Sequence, residues 1–110
     1  MMIIDVSDHF EYNFSRDVVL DGSMFRLIFN YNELYDFWTM ELQDAQFNSL
    51  WIGKLVCNFD LFRRYKFDGM PAGRIIAETA DKNKDVVQKS DFQSKGVVLR
   101  YIEASELNLL

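Results

Sequence analysis

The stretch from Phe10 to Asp44 constrains this chain more than any other, because apolar residues recur there at every second position in three successive runs. Phe10, Tyr12, Phe14, Val18 and Leu20 form the first set, Phe25, Leu27, Phe29 and Tyr31 the second, and Trp38, Met40 and Leu42 the third. A period of two places each set on one face of a pleated strand. Asp21-Gly22 lies between the first two runs and supplies the positive φ angles that a two-residue hairpin turn demands. Three consecutive antiparallel strands follow, over Phe10–Val19, Met24–Tyr31 and Phe37–Asp44, with turns at Asn32–Asp36 and Ala45–Asn48.

Further along, Leu50–Gly53 begins a shorter element in which Gly53 is expected to weaken or bulge a strand. Lys54–Asp68 fits neither period; a strand with a short turn is the favoured reading for Leu61–Tyr65, over a helical turn. Gly69-Met70-Pro71-Ala72-Gly73 is a turn by composition, and Arg74–Thr79 is a strand. The polar Ala80–Ser94 segment reads as an exposed loop with one helical turn near Lys89–Phe92. In the run Gly96–Ile102, Val97, Leu99 and Tyr101 alternate with Val98, Arg100 and Ile102, so the last strand is mostly apolar on both faces and one face is a candidate interface. The fold class expected is all-β: a small single-domain β-barrel or sandwich of six to seven mostly antiparallel strands, with at most a short helical turn.

A chain of 110 residues is one domain, and 49% hydrophobic with 15% aromatic residues supplies its core. Residues 1–9 read as an N-terminal arm or edge strand, 10–102 as the β domain and 103–110 as a tail. The net charge of −5 gives a nucleic-acid backbone no general reason to approach. One basic cluster, Arg63, Arg64 and Lys66, interleaves with Phe62, Tyr65 and Phe67, and is read as cations snorkelling beside buried rings rather than as a single-strand binding stripe. Met1–Val6 is too short for a signal peptide, and no apolar run approaches the roughly 20 residues of a membrane helix, so a soluble protein is expected.

Chemistry is sparse. Cys57 is the sole cysteine and His9 the sole histidine, which rules out an intrachain disulfide and a multi-histidine metal site. Cys57 lies in an apolar run, where thiols are usually packing groups rather than nucleophiles. Asp81-x-Asn83-x-Asp85 has the opening spacing of a calcium loop, but Val86 stands where the sharp-turn Gly belongs and Phe92 where the bidentate acid belongs. Gly69-x-x-x-Gly73 lacks the Lys and Ser/Thr of a phosphate loop. No enzyme activity, cofactor or metal is expected.

The order of features resembles the phage baseplate plug family, small proteins of contractile-tailed phages. The matching residues are Phe14, Leu20-Asp21-Gly22-x-x-Phe25-x-Leu27, Asn30-Tyr31-Asn32 and Trp38-x-Met40-x-Leu42-x-Asp44. They continue with Gly53, Leu61-Phe62-Arg63-Arg64-Tyr65, Gly69 and Gly73 around Pro71, Asp91, and Leu99-Arg100-Tyr101. The resemblance implies a non-enzymatic structural component of the tail baseplate, assembled in the host cytoplasm. It would act as a plug or adaptor at the distal end of the tail tube, in contact with tube, hub and spike proteins, in a homo-oligomeric ring. Candidate contact residues are Ile3, Ile4 and Val6 in the arm, Val98, Arg100 and Ile102 in the last strand, and Leu107, Leu109 and Leu110 in the tail. The arm and tail are expected to be assembly elements whose removal leaves stability nearly intact. The alternative is a carbohydrate- or calcium-binding β module with Trp38, Trp51 or Tyr35 as stacking platforms.

Overall fold

The computed structural model describes residues 2–7, 12–63, 65 and 68–107. Its strands are β1 (Met2–Ile4), β2 (Asn13–Leu20), β3 (Ser23–Asn32), β4 (Phe37–Asp44), β5 (Ser49–Lys54), β6 (Arg74–Glu78) and β7 (Val98–Ile102). Two single-turn helices, α1 (Asp91–Ser94) and α2 (Ala104–Leu107), complete it. The strands form two antiparallel sheets, ordered β2-β3-β4-β5 and β1-β7-β6. They enclose one shared core and do not close into a barrel, and a second helical turn is present where at most one was expected.

The meander of the larger sheet follows from the alternation. Asp21 at φ 50° and Gly22 at φ 82° make the turn that lets Leu20 face Ser23. Across the sheet, Phe14 faces Phe29 and Phe29 faces Met40, so Phe14, Phe25, Leu27, Phe29, Trp38, Met40 and Leu42 share the inner face. Phe10 lies outside the described residues. At β5, Leu42 faces Trp51 and Gln43 faces Ser49, which makes Leu50 the extra residue of a bulge. Gly53, where the irregularity was expected, sits in register opposite Met40.

From Lys54 the chain crosses to the smaller sheet. Leu55 N–H donates to Trp38 O at 2.9 Å, Asn58 N–H to Ala77 O at 2.8 Å, and Leu61 N–H to Ile75 O at 3.0 Å. Leu61–Arg63 is a turn, not the expected strand, because the backbone here bonds sideways to β6 while Leu61 and Phe62 plug the core. Trp51 stacks edge-on to Phe62, with ring centroids 5.3 Å apart. Arg64, Lys66 and Phe67 lie outside the described residues.

The polar segment before β7 is not wholly an exposed loop. Val87 and Phe92 are buried, and Val87 N–H donates to Leu55 O at 3.0 Å while Trp38 N–H donates to Val87 O at 3.0 Å. Two apolar residues among many charges are enough to draw the segment across the open end of the core.

The N-terminal segment is also integrated. β1 pairs with β7, with Met2 opposite Tyr101 and Ile4 opposite Leu99. Ile4 is 4% and Val6 3% exposed, so they are core residues, and of the two expected readings the segment is the edge strand of its sheet and not a free arm. The tail begins as α2, whose Ala104 N–H donates to the Asp21 carboxylate at 3.2 Å; Leu109 and Leu110 lie outside the described residues.

Candidate interaction surface

In β7, period two sends Leu99 and Tyr101 inward and Val98, Arg100 and Ile102 outward. The antiparallel register then sets Ile3 and Ile76 on either side of Arg100, Glu78 beside Val98, and Arg74 beside Ile102. Ile3, Val98, Arg100 and Ile102 therefore share one outward face; alternation had grouped Val98, Arg100 and Ile102, and only the pairing of β1 with β7 adds Ile3. Ile76 joins them unforeseen: Arg74–Thr79 is apolar at both Ile75 and Ile76, so only the pairing tells which one points out. Charges punctuate this face: Arg100 Nε lies 3.0 Å from Glu78 Oε1, and Arg74 Nε lies 3.6 Å from Asp60 Oδ2. The outer face of the larger sheet carries a higher share of polar residues, Ser15, Asp17, Arg26, Thr39, Glu41, Gln43 and Lys54 among them with Arg26 paired to Asp17 at 2.9 Å, although Val19, Met24 and Ile52 are exposed there as well. Apolar concentration thus marks the smaller sheet as the candidate contact surface.

At one end this face runs into an open apolar groove of about 200 Å³, formed by the β1 segment, α1 and the start of β7. Ile3, Val98, Phe92 and Val97 line it, and Ile4 and Val6 contribute to its lining with what little surface they keep. Two charged residues, Asp5 and Lys95, border it. Asp5 already accepts from Ser7 N–H at 3.0 Å and Ser7 Oγ at 2.7 Å, which holds its carboxyl below the usual range. Leu107, half-buried in α2, does not line the groove.

The β3–β4 turn presents a different kind of surface. Asn32 Oδ1 accepts Leu34 N–H at 3.0 Å and Tyr35 N–H at 3.1 Å, and Asp36 takes φ 53° to re-enter β4. The Asp36 carboxylate then receives Tyr31 Oη at 2.6 Å, Gln88 Nε2 at 3.1 Å and Lys89 N–H at 3.2 Å. Tyr31 is pushed up to about 12 by that bond, and Asp36 is correspondingly lowered. The tip they hold leaves Leu34 80% and Tyr35 71% exposed.

Among the described residues, neither stacking nor nucleophilic chemistry gathers a site. Trp38 is buried and its indole N–H donates to Gln88 O at 3.1 Å, so its ring is core and not a platform. Trp51 is half-buried against Phe62 and Tyr65, which leaves Tyr35 as the exposed ring of the three. Cys57 is buried, and burial pushes its thiol up, away from thiolate reactivity; His9 lies outside the described residues. In the Asp81–Asp85 segment the Asp81 carboxylate accepts Asn83 N–H at 3.0 Å, an ordinary turn bond. Among the described residues no group of three or more His, Cys, Asp or Glu could hold a metal ion.

Three motif residues far apart in sequence meet at the opposite end of β7. The Tyr101 hydroxyl donates to Asp21 Oδ2 at 2.5 Å and accepts Gly73 N–H at 2.9 Å. A Cβ on residue 73 would lie 2.1 Å from Ile102 O and 2.7 Å from the Tyr101 ring, so only glycine fits there. Asp21, Gly73 and Tyr101 thereby lock the hairpin of one sheet to the strands of the other.

No curated protein matches the chain. A family model described as "Cyanophage baseplate Pam3 plug gp18" matches residues 1–104, spanning the meander, the Asp21–Gly73–Tyr101 lock and the apolar sheet face, and the chain therefore belongs to this family of phage baseplate structural proteins.

Proposed function

We propose that the protein is a non-catalytic plug or adaptor at the distal end of a contractile tail tube, bridging tube, hub and spike proteins as a ring of identical copies put together in the host cytoplasm. Membership of the family supports the baseplate setting. The observation that carries the contact reading is the outward face of the smaller sheet, where Ile3, Ile76, Val98 and Ile102 surround the Arg100–Glu78 pair. Such a face, with four apolar residues around paired charges, suits a protein neighbour.

The test is the solution mass of the purified protein mixed with the tube, hub and spike proteins of the same phage. A stable complex with at least one of them is expected, and Ile76→Asp with Ile102→Asp should abolish it while circular dichroism stays native. Binding to none of the three would sink the reading.

A further inference from the structure

The larger sheet ends in two open edges whose backbones complement each other. Bonded pairs alternate along an antiparallel ladder, and Tyr31 N–H donates to Tyr12 O at 2.7 Å. The bonded pairs between β2 and β3 therefore continue as Phe14–Phe29, Arg16–Leu27 and Val18–Phe25, and the backbone groups of Ser15, Asp17 and Val19 point away from β3. At the other edge Leu55 N–H donates to Trp38 O at 2.9 Å, so Met40–Gly53 and Leu42–Trp51 are the bonded pairs and Ile52 and Lys54 point away from β4. Among the described residues nothing bonds the outward backbone groups of these five. The smaller sheet guards its edges: β1 has only 3 residues, and β6 is covered by Asn58 and Leu61, whose N–H groups bond Ala77 O and Ile75 O. By contrast β2, 8 residues long with no bulge and no proline, is neither short nor covered.

We propose that β2 of one copy pairs antiparallel with β5 of the next, joining the larger sheets of successive copies edge to edge. In the meander β2-β3-β4-β5 the two edge strands run in opposite directions, so a copy rotated into line lays its β2 antiparallel to β5, the geometry of every pair inside the sheet. One register fits: Val19 opposite Ile52 and Asp17 opposite Lys54 match outward backbone to outward backbone. It also sets against each other the exposed apolar residues of the two edges, Val19 at 57% and Ile52 at 69%. A slip of two residues either way would put Ile52 against Asp17 or Lys54 against Val19. The bulge at Leu50 confines the ladder to Trp51–Lys54 against Asp17–Leu20. Asp17 already holds Arg26, and Lys54 Nζ stands 4.4 Å from the centre of the Phe37 ring, so the charge match adds little; backbone bonds and the Val19–Ile52 contact carry the joint. Two β2 edges joined about a two-fold axis fit worse, because their longest overlaps put Arg16 across from Arg16 or Asp17 across from Asp17. The edges are different patches, so each copy keeps one of each after pairing and the joint repeats until its rotation closes a ring. This deepens the ring reading above and rests on it for the place where such a ring would sit. A joint this short buries little area, and self-association of the isolated chain is expected to be weak, in the range of about 10 µM to 1 mM.

The experiment is sedimentation of the whole chain from about 10 µM to 1 mM, a range chosen to bracket that weak affinity. Wild type should grow in mass with concentration, and its Val19 and Ile52 amides should exchange more slowly as it does. Val19→Asp (β2 edge blocked, β5 edge intact) and Ile52→Asp (β5 edge blocked, β2 edge intact) alter exposed side chains, so circular dichroism should stay native. Each should remain monomeric, and their equimolar mixture should give a 1:1 dimer and nothing larger. Val19→Lys should weaken association about tenfold or more, and Ile52→Asp in the same chain should restore it, because opposite charges then meet across the joint. A wild type that stays monomeric throughout, either blocked variant still associating, or a folded pair of variants that does not dimerise would each overturn the proposal. Val19 and Ile52 lie on the larger sheet, off the face that carries Ile76 and Ile102, so both blocked variants should keep the hub, tube or spike complex. A monomeric wild type that binds one of those proteins refutes the joint and leaves the baseplate reading standing; a chain that self-associates and binds none of them does the reverse.

Discussion

Replacing Tyr101 by Phe removes one oxygen from the lock between the sheets, and its cost can be worked from the geometry. The hydroxyl donates to a carboxylate at 2.5 Å, and hydrogen bonds to charged groups contribute about 1.5–3 kcal/mol net. Asp21 is exposed and can rehydrate, so the low end of that range applies. Gly73 N–H, buried at 2.9 Å from the same oxygen, is left without this acceptor, which costs about 1–3 kcal/mol. The sum is about 3 kcal/mol, or roughly 12 °C in Tm at about 4 °C per kcal/mol for a domain of this size. Urea unfolding followed by Trp38 fluorescence reads it directly. Asp21→Asn keeps the turn conformation and an acceptor oxygen and should cost about 1 kcal/mol. In the Tyr101→Phe background that substitution should cost less, because the Tyr101 hydroxyl is gone and an Asn oxygen can still accept Ala104 N–H. A Tyr101→Phe protein melting within about 2 °C of wild type would refute the account, as would strict additivity of the two changes.

Two further outcomes follow from burial and titration. Ile4→Ala should destabilise by about 2–5 kcal/mol, measured by the same urea titration, because Ile4 lies in the core against β7; an arm serving only assembly would show no change. Tyr31, raised to about 12 by its bond to Asp36, and Tyr101, raised further by burial and by Asp21, both ionise above an ordinary tyrosine. A raised folded-state value gives stability that is complete below about pH 10 and is lost as pH climbs through 12, so Tm should fall steeply between about pH 10 and pH 12 and less steeply in Tyr31→Phe.

The three-strand meander was legible because its information is local. Alternation fixes which residues share a face, and Asp21-Gly22 fixes the turn; each acts within a few residues, and β2, β3 and β4 follow. The same alternation placed Val98, Arg100 and Ile102 on one face, and the order of motifs pointed to the baseplate plug family that the chain matches. What local pattern does not carry is the partner of a strand distant in sequence. Nothing in Met2–Ile4 says that it will pair with β7 nearly a hundred residues later and bury Ile4 and Val6, and nothing in Arg74–Thr79 says whether Ile75 or Ile76 faces out. Nor did turn composition betray that Val87 and Phe92 would pull a charged segment over the core, or that the Leu34 side chain would stand exposed at the tip. The sequence alone therefore determined the three meander strands and the first turn, which rest on short-range sterics and periodicity, and the resemblance of its ordered motifs pointed to the family. The joining of the two sheets, the groove and the exposed tip were decided only by tertiary packing, because burying apolar area does not depend on separation along the chain.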